Sequence, residues 1–134
     1  MGQDLEQYLV NPHGLLFSEV TASSLVKINL NELTVVEPGS TAYGVNRPAF
    51  GLHSAIYKAR PDVRCIVHVH TNAVTSVSTM KCGLLPISQE AILCGTVSYH
   101  DYKGMQAEED VKRLLVNDLG PLNKVNYYHY HLVF

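Results

Sequence analysis

At 134 residues, with 46% apolar and 16% charged side chains, the chain has the composition of one globular domain and not that of a disordered segment. Its formal charge of -2 offers no basic field for nucleic acid, and no apolar run approaches the roughly 20 residues of a membrane helix. The start, MGQDLEQYLV, lacks the basic and apolar stretches of a signal peptide, and Glu6 stands where a myristoylation signal wants Ser or Thr.

The first patterned stretch is LVKINL (25–30), whose alternation of apolar and polar residues predicts a half-buried strand. Asn31-Glu32 makes a polar turn, and Thr34-Val35-Val36 supplies the returning strand of a hairpin. From Pro38 to Pro48 the chain is rich in Gly, Ser, Thr and Asn and reads as a long loop of the kind that carries sites. A helix is expected over Phe50 to Ala59, because Leu52, Ala55, Ile56 and Ala59 fall on one face, and Pro61 bars its continuation. VRCIVHVH (63–70) is short and β-branched and is expected to be a strand. Thr71 or Asn72 caps a following helix that runs to about Lys81. Beyond Pro86 come a short helix over Gln89 to Leu93 and a short strand over Thr96 to Tyr99. A helix over Glu108 to Asn117 ends at Gly120-Pro121, and a last strand begins near Lys124. Strands alternating with helices define an α/β layered domain.

His68 and His70 carry the clearest chemistry. Residues two apart on a strand point to one face, so two imidazoles reach one point, as zinc requires of its nitrogen ligands. The plainer alternative is two polar residues on a solvated face. A catalytic zinc needs three protein ligands. His131 in the last strand is a candidate for the third, and His129 lies on the same face, so spacing does not choose between them. His53 is expected to pack or cap locally on its helix, while His13 and His100 fall in turn-like polar stretches without an assigned role. Cys65, Cys82 and Cys94 form neither a CxxC pair nor an even set, so they suggest no zinc knuckle or redox motif. Cys65, inside the apolar run, is expected to be a buried inert thiol, and the setting a reducing cytoplasm.

The run LHSAIYKARPDVRCIVHVHT (52–71) resembles the class II aldolase/adducin family. NPHGLLFSEVTASSLVKINL (11–30), GSTAYGVN (39–46), MKCGLLPIS (80–88) and GTVSYHDYKG (95–104) are similar to its adducin branch and not to its bacterial sugar-phosphate enzymes. The resemblance reaches to about Val125. It implies a class II aldolase-like fold over residues 1–134, with a mainly antiparallel central sheet flanked by helices, incomplete at its C-terminal end. By position it assigns the family's zinc ligands to His68, His70 and His131, as a vestigial or weak site. His131 is flanked by Tyr130 and Leu132 where the family carries Asn and Gly.

The enzymes' acid/base glutamate falls on Ala49, and Arg47-Pro48 replaces the small hydroxyl residues that bind substrate phosphate. Alanine exchanges no proton, and general acid–base assistance is worth about 10²–10⁴-fold. The resemblance therefore implies a non-catalytic, adducin-like head with no required cofactor. It would self-associate, or pair with other adducin-like heads, at the cytoplasmic face of the plasma membrane, with actin and spectrin as partners. The alternative is a zinc-dependent lyase or epimerase on a sugar phosphate, with Asp101 or Tyr102 as replacement base.

Overall fold

The computed structural model describes residues 7–101 and 108–129. The chain divides into two compact units, Met1–Arg64 and Cys65–Phe134. Each is taken by itself.

The first unit holds a three-stranded antiparallel sheet in the order β1 (Gln7–Val10), β2 (Val26–Asn29), β3 (Val35–Glu37). β2 is the strand expected from the LVKINL alternation, and its inward residues Val26 and Ile28 have no exposed surface. The hairpin to β3 turns where expected. The Asn29 side-chain oxygen accepts the backbone N–H groups of Asn31 and Glu32, at 2.8 and 2.9 Å. This is how a short amide side chain substitutes for a backbone turn bond. A register shift between Lys27 and Ile28 lets Lys27 sit opposite Glu37, and the two side chains form an ion pair. β1, a four-residue segment, pairs with β2 from Gln7 opposite Asn29 to Val10 opposite Val26. Its sequence is too short and too weakly alternating to announce a strand.

The loop after β3 approaches the chain near Ser24 so closely that only glycine fits at position 39. Its φ is +73°, and a Cβ there would stand 2.6 Å from the Ser24 carbonyl oxygen. Ser40 N–H then donates to the Ser23 carbonyl at 2.8 Å. Helix α1 (Arg47–Ala59) starts three residues earlier than the apolar spacing suggests, because Pro48 is pre-set for a first turn. Tyr8 of β1 packs on α1. Its ring lies 5.1 Å from that of Tyr57 and its hydroxyl is 2.7 Å from Ser54 Oγ. The helix ends before Pro61, as expected, and the buried Arg60 forks onto both carboxylate oxygens of Asp62 at 2.8 and 2.7 Å. That guanidinium holds the Asp62 carboxyl below its usual range.

In the second unit, α2 (Asn72–Thr79) is capped by Thr71, and the short α3 (Gln89–Leu93) by Ser88. Strands β4 (Val97–Asp101) and β5 (Val125–His129) pair in parallel, joined by the crossover helix α4 (Glu108–Leu119). Parallel neighbours require such a crossover, since no tight turn joins them. Leu115 and Leu119 form the buried stripe of α4. Beneath the opposite sheet face, the Tyr99 and Tyr127 rings stack at 5.8 Å, and the Tyr99 hydroxyl accepts the Leu84 N–H at 2.7 Å.

The expected α/β class is present, and among the described residues two of the three strand pairings are antiparallel. One element differs. The stretch 63–70, expected as a strand, belongs to neither sheet. Its β-branched residues favour an extended backbone, but a strand is defined by ladder bonds to a neighbour, and it has no paired strand among the described residues.

Candidate functional site

His68 and His70 follow the predicted geometry although their segment lacks a ladder. Their Nε2 atoms are 2.7 Å apart and their ring centroids 4.7 Å, so both nitrogens converge on one point. At that separation the Nε2–H of one ring donates to the bare Nε2 of the other, which requires the two rings to be opposite tautomers. Both residues are exposed. Desolvation, and then the neighbouring His70, push the His68 imidazole below its ordinary pKa. Two imidazoles sharing a tetrahedral zinc at 2.0–2.1 Å stand about 3.3 Å apart. The observed pair would open by about 0.6 Å to accommodate one.

The third position is less defined. His131 lies outside the described residues, as does Tyr102. His129 is the last residue of β5, in register with Asp101 at the end of β4. Among the described residues, no group of three or more His, Cys, Asp or Glu side chains is arranged to hold a metal ion. Ala49 stands in the first turn of α1. His53 is half-buried on the same helix, and His13 is exposed.

His100 is a correction. It is not in a polar turn but on β4, 3% exposed, with Nδ1 2.6 Å from the Asp118 carboxylate of α4. Tyr128 of β5, its register partner, meets His100 edge-on at 5.3 Å and meets His68 at 5.8 Å. An aromatic contact thus runs from the exposed histidine pair to the buried His100–Asp118 pair. The signal was in VSYHD, where Ser98 and His100 alternate with Val97 and Tyr99, but histidine in a short polar stretch reads as a turn residue. Cys65 is a second correction. It is exposed because the run around it is not enclosed in a sheet; Cys82 is exposed too, and none of the three cysteines is in a disulfide.

An antiparallel sheet with a packed helix in the first unit, and in the second a βαβ unit and a His-x-His pair at the end of a β-branched run, together define a class II aldolase-type domain. Residues 3–129 match the family model described as Class II Aldolase and Adducin N-terminal domain, and the chain belongs to this family. Over 93% of its length it is 57% identical to alpha-adducin of Rattus norvegicus, 48% to beta-adducin and 46% to gamma-adducin of Homo sapiens. It spans only 17% of the length of that alpha-adducin. Among solved structures it is similar to an aldolase II superfamily protein from Pseudomonas syringae, with a TM-score of 0.84 and 42% identity. That match covers 96% of this chain and 51% of the other. It is also similar to L-fuculose 1-phosphate aldolase from Glaciozyma antarctica PI12, with a TM-score of 0.72 and 28% identity over 92% of this chain and 47% of that one.

Among the described residues no helix is long and apolar enough to cross a membrane.

Proposed function

We propose that this chain is an adducin-type head that works as a non-catalytic scaffold. It would associate with copies of itself or with other adducin-type heads on the membrane skeleton, beneath the plasma membrane, where actin and spectrin are the partners. The observation that carries this reading is the identity of 46–57% to three adducins over 93% of the chain, against 28% to the named aldolase. Ala49 supports it, since the position where the family's enzymes place their acid/base glutamate has no titratable group. The test combines two measurements. Sedimentation should show self-association or mixed assembly with an adducin head, and assays with L-fuculose 1-phosphate and related sugar phosphates should show no turnover above buffer. Turnover that is lost in His68→Ala would overturn the scaffold reading.

A specific observation keeps a second reading alive: a zinc-dependent lyase or epimerase on a sugar phosphate. His68 and His70 aim two nitrogens at one point, and His131, with His129 as its competitor, is the residue to complete the set. Zinc there would act as a Lewis acid on a substrate carbonyl. Elemental analysis of the purified chain beside a His68→Ala/His70→Ala variant decides it. Near one zinc per chain, lost in the variant, supports a retained metal site. No zinc in either means the pair is a relic.

A further inference from the structure

Parallel strands covered by a crossover helix ordinarily present Val, Ile and Leu to it. The face of β4 and β5 towards α4 instead presents Ser98 and His100 from one strand, in register with Asn126 and Tyr128 from the other. α4 brings little apolar surface of its own: among residues 109–119 only Leu115 and Leu119 are buried. The polar groups of this face are unevenly served. Ser98 Oγ donates to the Val125 carbonyl at 3.1 Å, and His100 Nδ1 lies 2.6 Å from the Asp118 carboxylate. The side-chain oxygen and nitrogen of Asn126 are both buried, and neither has a hydrogen-bond partner among the described residues.

Two opposed influences therefore act on α4. The His100–Asp118 bond holds it against β4, through an aspartate whose side chain is 39% exposed. The Asn126 amide works against closure, because a polar group stripped of water without a replacement bond destabilises the covered state, and lifting the helix rehydrates it. The strands themselves are secured from the opposite face, where the Tyr99 and Tyr127 rings stack and the Tyr99 hydroxyl accepts the Leu84 N–H. We infer that α4 is a hinged cover, which opens as a unit from the β4–β5 face while the two strands stay paired. The His100–Asp118 bond is its clasp, and Asn126 sets how readily it opens. Opening is felt at the surface as well, since Tyr128 meets both the clasped His100 ring and the His68 ring. The inference does not rest on the scaffold reading, so sugar-phosphate turnover would sink that reading and leave this one standing.

Native-state hydrogen exchange of the 134-residue chain tests it, read amide by amide at low denaturant. The expected result is protection of residues 112–117 at least tenfold below that of residues 98–100, with a weaker dependence on denaturant. That combination marks an opening smaller than global unfolding. Asn126→Leu supplies the apolar side chain that the face lacks and should raise protection of residues 112–117 at least tenfold. Asp118→Ala breaks the clasp at a partly exposed position and should lower it at least tenfold, with a shift of the His68 ring resonances. Equal protection and equal denaturant dependence for helix and strands in the unaltered chain would overturn the inference. So would an Asn126→Leu variant whose α4 is no better protected, or an Asp118→Ala variant that leaves both α4 and the His68 resonances unchanged.

Discussion

Leu33 is the one non-glycine among the described residues with a positive φ, +56°, where it closes the β2–β3 turn. An L side chain there costs roughly 1 kcal/mol, and asparagine tolerates the conformation better. Leu33 is 39% exposed, so the burial lost on replacement offsets only part of that gain. Leu33→Asn should therefore raise the melting temperature by about 3 °C, readable by calorimetry. Tyr8 gives a pH-dependent counterpart. Burial, opposed by the Ser54 hydrogen bond, pushes its hydroxyl up to about 12. The unfolded tyrosine releases its proton near 10, so the unfolded state is favoured progressively as pH rises from 10 towards 12. Below pH 10 the contribution is intact. Denaturant unfolding at pH 8 and pH 11 should show a stability loss in the wild type that is smaller in Tyr8→Phe. Tyr8→Phe itself should cost about 1 kcal/mol at pH 8 through the lost bond to Ser54.

The elements show where pattern suffices and where it fails. β2, β3, α2, α3, α4 and β5 fall within a few residues of their predicted positions, because each is written in a local period or a cap: Val26 and Ile28 inward, Thr71 and Ser88 at helix starts, Gly120 at the end of α4. The 63–70 stretch reads as a strand but belongs to no sheet among the described residues, because strand propensity is local while ladder pairing is not. β1 leaves no local signal, because its burial depends on α1 through Tyr8 and not on its own alternation. For the site, the convergence of His68 and His70 was legible from their spacing of two, whereas His100 was not, since its partner Asp118 lies eighteen residues on. That pair joins α4 to β4. His100→Ala removes a buried ring and leaves the Asp118 carboxylate without its donor, and should cost about 2–4 kcal/mol. Asp118→Asn keeps the shape and a hydrogen-bonding group and should cost less. Chemical denaturation of the two variants ranks them; equal losses would mean that packing of the ring alone holds the helix.

At the scale of the whole chain, family membership and function separate. The family model that this chain matches takes in aldolases and adducins together, and membership of such a family does not by itself fix what a chain does. Topology has its own consequence, which concerns time. The β2–β3 hairpin closes between Lys27 and Glu37, a short loop that forms on the scale of microseconds. β4 and β5 join Val97 to Val125 and can pair only when α4 has been laid across the gap. The entropy of that closure is lost before any ladder bond repays it. Pulse-labelled refolding should therefore protect the amides of Val26–Asn29 before those of Val125–His129, with the Leu115→Ala variant delaying the second set alone. During that interval β4 is a solitary strand with an unsatisfied backbone, and growth temperature and chain concentration should govern yield more strongly than the equilibrium stability of the finished fold.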